Sequence, residues 1–308
     1  MESQCLGLAE ALGLMPTIKR VVLRAPWRQL TPYFRAGQRF AFSRRGDALK
    51  APWPDLLIAT GRLSIAASLH VRAQSRKGGR EGTFTVQLQN PVIAPSHFDL
   101  VVTPRHDGLT GENVVATRGA LHRVTAPLLT AGAEKLLPRI AQLPRPYVSV
   151  LIGGANNAYR LTPSDMAEIA KHLAEAALSL KGSLLITPSR RTGADVIAAL
   201  RAELQRVPHF LWNFETGNPY FGLLGVADFL VVTCDSVNMV SEALATGKPV
   251  YVADIPGGSQ KFRRFHAGLA AEGLTRRFEG ALAPYAYTPP DDMAMVAARV
   301  AKALEQRV

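Results

Sequence analysis

The sequence predicts an α/β protein of two domains, each built on a parallel sheet. Three observations lead there. Strand-type and helix-type segments alternate along most of the chain, the pattern of parallel strands joined by crossover helices. The 308 residues exceed one average core and fit two domains. A Pro-marked stretch, Leu137-Pro138 through Pro144-Arg145-Pro146, then interrupts the pattern before it restarts with an apolar strand. We therefore expect an N-terminal α/β domain over 1–143, a C-terminal α/β domain over 146–308 and a cleft between them.

In the first half a helix is expected at Gln4–Leu12, followed by strands at Ile18–Leu23 and Leu56–Ala59. A helix from about Leu63 to Val71 and a strand at Thr83–Gln87 come next, then a strand at Leu100–Thr103 and short strands near Val114 and Val124. The chain opens in a helix, whereas parallel α/β domains normally open with a strand and a Gly-rich turn. Met1 is accordingly expected to be an internal methionine, with a strand and loop upstream of it. A domain that simply begins with a helix is the alternative.

The second half begins with a strand at Tyr147–Ile152 that ends in Gly153-Gly154. Thr162 reads as a helix cap, with Pro163 at the first helical position and Asp165 at the third. Met166, Ile169, Ala170, Leu173, Ala177 and Leu180 supply that helix's apolar stripe. A strand at Ser183–Thr187, a helix from about Ala194 to Gln205 and a strand at His209–Trp212 follow. Phe229–Val232 is a strand of the buried type that enters the polar turn Thr233–Ser236. The helix after it is ended by Gly247 and Pro249, and a further strand occupies Val250–Ala253. After Pro289-Pro290 a terminal helix is expected at Met293–Gln306, with room to pack back on the first domain.

Composition narrows the function classes. A hydrophobic content of 47% marks a well-cored globular chain. Cys5 and Cys234 are too few and too distant to suggest a disulfide framework, and no Cys/His cluster has zinc spacing. No secretory signal is visible, and the longest apolar runs are far too short to span a bilayer. A cytoplasmic protein with a peripheral membrane contact is expected. The net charge of +12 admits nucleic acid, an anionic membrane surface or a phosphorylated small molecule. Short basic concentrations occur at Arg72–Arg80, Arg190–Arg191 and Lys261–Arg264, without a nucleic-acid-binding signature, so nucleic acid ranks last.

Three loops at the carboxyl ends of parallel strands are compatible with phosphate. Gly153-Gly154-Ala155-Asn156-Asn157 lets the backbone come close to a phosphate, and Asn156 can donate to it. Ser189-Arg190-Arg191-Thr192 offers guanidinium groups that match a diphosphate. The turn ending in Asp235 and Ser236 opens a helix whose polar face carries Asn238 and Glu242. Its free N–H groups and dipole suit an anion, and Glu242 can reach a sugar hydroxyl. Each loop has a plainer reading as well: a tight turn, solvated arginines, an ordinary N-cap. Asn218-Pro219-Tyr220 either lines the cleft with its ring or makes a turn with a packed Tyr220. In the first domain His106 and Asp107 end a strand and are the candidates for a general base, with a hydrogen-bonded turn as the alternative. No GxSxG elbow, P-loop or metal-ligand set is present, and no cofactor is expected.

Six runs, Gln4–Gly13, Phe98–Asp107, Val148–Gly154, Thr187–Thr192, Asn218–Tyr220 and Thr233–Ala243, resemble the ELM-type mitochondrial fission family. The resemblance covers nearly the whole length, and the last run is its most specific part. The family's plant proteins lie at the outer mitochondrial membrane surface, and its many bacterial relatives have no assigned activity. The resemblance implies that the family's opening strand and Gly-containing loop are missing here. It further implies an adaptor role, in which plant members bring a dynamin-like GTPase to mitochondria.

More distantly, the second half is similar to GT-B glycosyltransferases and nucleotide-sugar epimerases, which hold a nucleotide diphosphate between two Rossmann-like domains. The expected fold is thus two Rossmann-like domains in a GT-B-like arrangement with an interdomain cleft. The expected function is binding of a nucleotide diphosphate-sugar, with glycosyl transfer near a membrane surface. A noncatalytic adaptor with an unidentified protein partner and a nucleotide-sugar epimerase are the alternatives.

Overall fold

The computed structural model describes residues 2–34, 37, 40–78 and 82–307. They form two units, Met1–Arg123 with Asp291–Val308, and Val124–Pro290. Arg80, part of one basic concentration, lies outside the described residues.

The first unit contains α1 (Glu2–Ala11), a single-turn α2 (Trp27–Leu30), β1 (Leu56–Thr60), α3 (Ser64–Ser75), β2 (Phe84–Leu88), β3 (Leu100–Pro104) and β4 (Val114–Thr117). The four strands pair in the order β1-β2-β3-β4, all parallel. Leu8 of α1 joins Val86, Leu88, Leu100 and Val102 in a core on one face. The other face carries α3, whose Ser68 hydroxyl donates to Gln87 Oε1 of β2 at 3.4 Å. Asp99, just ahead of β3, accepts from the Thr85 N–H at 2.8 Å and from its hydroxyl at 2.7 Å. Arg72 and Arg76 also close on Asp99, at 3.1 and 3.2 Å, so these two cations of the basic stretch are held by the fold.

The second unit contains α4 (Ala126–Ile140), β5 (Tyr147–Ile152), α5 (Pro163–Leu180), β6 (Ser183–Pro188), α6 (Ala194–Glu203), β7 (His209–Leu211), α7 (Tyr220–Val226), β8 (Phe229–Thr233), α8 (Val237–Leu244), β9 (Val250–Ala253), α9 (Gln260–Ala271) and β10 (Arg276–Arg277). Its parallel sheet runs β10-β9-β8-β5-β6-β7. Alternate residues of β5 point to opposite cores. Val148, Val150 and Ile152 meet α5 and α6, whereas Leu151 meets the core that contains residues of α8 and α9. The expected cap of α5 forms a full capping box, in which Thr162 and Asp165 each accept a backbone N–H from the other.

The final helix, α10 (Asp292–Glu305), belongs to the first unit, where Val296, Ala297 and Val300 pack beside Leu8. Asp292 Oδ2 accepts the N–H groups of Arg118 (2.8 Å) and Gly119 (3.2 Å), which ties the helix to the turn after β4.

Three features depart from the sequence reading. Ile18–Leu23 is not a sheet strand; among the described residues it pairs with the stretch 42–47, through the antiparallel bridge between Leu23 and Phe42 and the backbone hydrogen bonds Ser43–Val22 and Asp47–Arg20. The short strand expected near Val124 is absent, because α4 begins at Ala126 with Pro127 in its first turn. The units also divide at Arg123/Val124, well ahead of the Pro-marked stretch. Pro138 is accommodated inside α4, in its last turn, and Leu136 and Ile140 of that helix are buried with Leu223 and Val226 of α7. Helix α4 thereby belongs to the second core.

That helix pair rests on glycine. A Cβ on Gly222 would lie 2.6 Å from the Gly132 carbonyl oxygen, and one on Gly225 would lie 2.5 Å from that of Leu129. Gly222→Ala gains about 1 kcal/mol of helix propensity but forces backbone against backbone, which costs about 1–3 kcal/mol. We expect a net loss of stability in urea unfolding. A more stable variant would show that α4 and α7 do not meet here.

Candidate functional site

In the second unit the chain lays down β5, β6 and β7 toward one edge, then returns to the other side of β5 with β8. The strand order therefore reverses between β5 and β8. Loops at such a point splay apart and leave a crevice at the carboxyl ends of the strands. Here the crevice lies between Gly153-Gly154 and Thr233–Ser236.

Asp235 fills it. Its side chain is fully buried and its carboxylate sits against the Gly153 Cα, where a Cβ would fall 2.1 Å from both carboxylate oxygens. The Thr233 hydroxyl donates to Oδ1 at 2.7 Å, the Gly154 N–H donates to Oδ2 at 3.0 Å, and the Arg191 guanidinium reaches Oδ2 at 3.0 Å. Asn156 Nδ2 donates to the Asp235 carbonyl at 3.2 Å, while its Oδ1 accepts from Ala158 and Tyr159. From the neighbouring loop the Ser189 hydroxyl donates to the Gly153 carbonyl at 2.7 Å, as does that of Thr192. The three loops expected at one edge are thus brought together and joined to one another.

This network changes the roles assigned from sequence. Gly153 has to be glycine because a carboxylate of the protein approaches it, which accounts for that residue without a ligand. The Gly154 N–H and much of the Arg191 charge are committed to Asp235. Arg190 is exposed and has no ion-pair partner among the described residues. Ser236 caps α8 by accepting the Met239 N–H at 3.3 Å. Asn238 follows on that helix, half-buried.

Glu242 is not on a solvated face. The Tyr220 hydroxyl donates to its Oε2 at 2.5 Å, and burial pushes the Glu242 carboxyl above its ordinary range, an effect this hydrogen bond opposes. Burial, with the Glu242 charge beside it, raises the Tyr220 phenol as well. Asn218 Oδ1 accepts the Tyr220 N–H at 3.0 Å and so starts α7. Lys248, just past the end of α8, donates to the carbonyls of Leu224 and Gly225 at 3.1 and 2.6 Å. Burial lowers its pKa to about 8.

The sequence reading missed the loop after β9. Gly257 and Gly258 have φ of +117° and +102°, and the Gly258 N–H donates to the Ala158 carbonyl at 2.6 Å. The Gly-Gly-Ser spacing ahead of a helix was the available signal. His266 of α9 places Nε2 2.8 Å from the Cys234 carbonyl, which makes Nε2 the protonated nitrogen of the neutral ring. Burial keeps its pKa below the usual histidine value.

In the first unit His106 and Asp107 form a short 3-10 turn after β3, with His106 Nε2 3.8 Å from Asp107 Oδ1. The side chains are only 3% and 5% exposed, and Asp107 Oδ2 accepts the Thr103 hydroxyl at 2.9 Å. Arg62, in another loop of this unit, is spent on the carbonyls of Arg28, Gln29 and Thr31. Among the described residues no cluster of His, Cys, Asp and Glu has the make-up of a metal site.

Two outcomes test this geometry. Gly153→Ala should destabilise the protein by about 1–3 kcal/mol, because the added methyl meets a buried carboxylate. Unchanged thermal unfolding would contradict the Asp235 placement. His266 has a folded pKa below its unfolded value near 6.5, so the unfolded state takes up the proton first as pH falls. Its contribution to stability is therefore complete above about pH 6.5 and is lost as pH falls below it. His266→Gln should flatten the pH dependence of urea unfolding by up to one proton below about pH 6.5. An unaltered slope would place His266 in water.

A model of the family described as Mitochondrial fission ELM1 matches residues 1–304. The "Mitochondrial fission protein ELM1" of Arabidopsis thaliana is 35% identical over 286 residues, which cover 82% of this chain and 65% of that protein. The chain therefore spans less than two thirds of that relative. An uncharacterized protein of Rickettsia prowazekii is 24% identical over 82% of this chain and 80% of its own length. Among solved structures, a UDP-GlcNAc 2-epimerase from Methanocaldococcus jannaschii matches 82% of this chain and 77% of its own, with a TM-score of 0.53 and 11% identity. That likeness concerns the fold alone, a GT-B-like one with two parallel α/β sheets. The family match over nearly the whole chain, together with the identity to the Arabidopsis protein, makes this chain a member of the mitochondrial fission ELM1 family.

Proposed function

We propose that the carboxyl edge of the second sheet binds a nucleotide diphosphate-sugar, and that the protein is a GT-B-like glycosyltransferase working at a membrane surface. The convergence of three loops where the strand order reverses carries this reading. The groups left for the ligand are those that Asp235 does not use. Arg190 is the exposed guanidinium for a diphosphate. The first N–H groups of α8, beside Ser236 and Asn238, add a positive helix end. The Tyr220–Glu242 pair presents a carboxylate whose second oxygen can accept a ribose or sugar hydroxyl. His106 with Asp107 is the acceptor base of this reading. Because both side chains are buried, that role requires the 3-10 turn to open when substrates bind.

One observation favours a second reading, the noncatalytic adaptor. The Gly154 N–H and Arg191, two donors a diphosphate would want, are already satisfied inside the protein. A scaffold that keeps the fold of a sugar-nucleotide enzyme without its turnover would look the same. The epimerase alternative would show turnover of UDP-GlcNAc with no acceptor present.

Calorimetry with UDP and UDP-GlcNAc tests the reading. Arg190→Ala should weaken binding by about 1.5–3 kcal/mol, roughly 10- to 150-fold, as expected for a lost charge-assisted hydrogen bond. Unaltered affinity would remove Arg190 from the site. Absence of binding by either ligand to the parent protein would leave the adaptor reading.

A further inference from the structure

Most of the excess positive charge of this chain lies in one segment. Between Leu14 and Lys50 the sequence holds nine Lys and Arg residues against a single acid, Asp47, a net of +8 out of +12 for the whole protein. The same segment is unusually apolar at its surface. Of the fourteen large hydrophobic side chains exposed among the described residues, eight lie between Leu14 and Phe40. Met15 is 98% exposed, Tyr33 71% and Phe40 58%.

The segment is built as an arm on the first unit. Its two limbs run antiparallel: the Arg24 N–H donates to the Ala41 carbonyl at 2.8 Å, the Ser43 N–H to Val22 at 2.8 Å and the Asp47 N–H to Arg20 at 3.0 Å. The inner side is anchored, since Leu23 and Ala41 are buried with Ala66 of α3 and the Phe42 ring lies 5.1 Å from His70. The Arg62 guanidinium grips the α2 end of the arm through the Arg28, Gln29 and Thr31 carbonyls. What points away from this anchorage is apolar and cationic together. Leu30, Tyr33 and Phe40 are exposed around the end of the arm, and Arg24, Arg28, Arg44 and Arg45 are exposed along its limbs.

We propose that this arm docks the protein on a bilayer containing anionic phospholipid, with the apolar side chains of the tip entering the headgroup region and the limb cations pairing with lipid phosphates. The physical case is the coincidence of the two properties. An exposed apolar cluster would be an aggregation liability unless something covers it. Cations dispersed among those apolar side chains match an interface that is hydrocarbon on one level and phosphate on the next. A net of +8 with one acid selects an anionic surface over a neutral one. The inference rests on the membrane-surface part of the reading above and names its contact; it is independent of the nucleotide site in the second unit.

Co-sedimentation tests it, with vesicles of phosphatidylcholine alone and of phosphatidylcholine mixed with phosphatidylglycerol. The protein should bind the mixed vesicles, lose most of that binding as salt is raised, and ignore the neutral ones. The variants Arg44→Glu/Arg45→Glu and Leu30→Ser/Tyr33→Ser should each bind at least about ten-fold more weakly, and their affinity for UDP should match the parent's. Because the variants could unfold the arm, amide exchange of the unaltered protein gives a second readout. Residues 27–34 should gain protection on mixed vesicles only. Equal binding to neutral vesicles, undiminished binding by both variants, or protection elsewhere and not in the arm would overturn the proposal. So would tighter binding to duplex DNA than to mixed vesicles, or an arm-dependent dimer without lipid. Vesicle binding without UDP binding would remove the nucleotide reading alone, and the reverse result would remove this one alone.

Discussion

The second unit depends on satisfying one buried carboxylate. Asp235 has no access to solvent, so its charge must be met by protein groups or the loops cannot close. It is met by a hydroxyl from its own turn, a backbone N–H from the glycine loop after β5, and a guanidinium from the loop after β6. Those three contacts come from three different strand ends. They set the spacing of the loops at the point where the sheet reverses direction, and they make Gly153 obligatory. The positions of Arg190, of Ser236 at the head of α8 and of Tyr220 opposite Glu242 are then laid out around an edge that is already locked.

Locking has a chemical consequence. Groups that hold the loops together cannot hold a ligand with full strength, so the phosphate-compatible residues separate into two sets. Gly153, Gly154, Asp235 and Arg191 build the edge. Arg190, the first turn of α8 and the Tyr220–Glu242 pair remain for a ligand to meet. A preformed edge also spares a ligand the entropy of ordering the loops, so even a small number of free donors can support binding. The same rigidity suits a scaffold that does no chemistry, which is why ligand binding and turnover are separate questions here.

Much of the fold was legible in the sequence because its strands are short apolar runs and its helices carry stripes. Tyr147–Ile152 was located to the residue, and the Thr162–Asp165 cap was read from residue types whose hydrogen bonds are local. The unread parts are those where distant contacts decide. Pro138 looked like a break, yet the packing of Leu136 and Ile140 against Leu223 and Val226 holds α4 together around it. Ile18–Leu23 has a strand's composition but, among the described residues, pairs with residues 41–47 in an arm outside the sheet. At the site, the convergence of the loops followed from their places after parallel strands. That Asp235 would occupy the crevice did not, because a buried aspartate and an N-cap aspartate look alike in sequence. The pairing of Tyr220 with Glu242, 22 positions apart, likewise requires the helices to be placed first.

The proposed function puts an anionic ligand on the locked edge of the second sheet. Amide hydrogen exchange of the intact protein with and without UDP reads this most directly, since each loop reports on itself. A ligand seated there should add protection in residues 189–192 and 234–239, with the already bonded Gly154 amide little changed. Protection confined to the first unit, or an exchange pattern that UDP leaves unaltered, would contradict it.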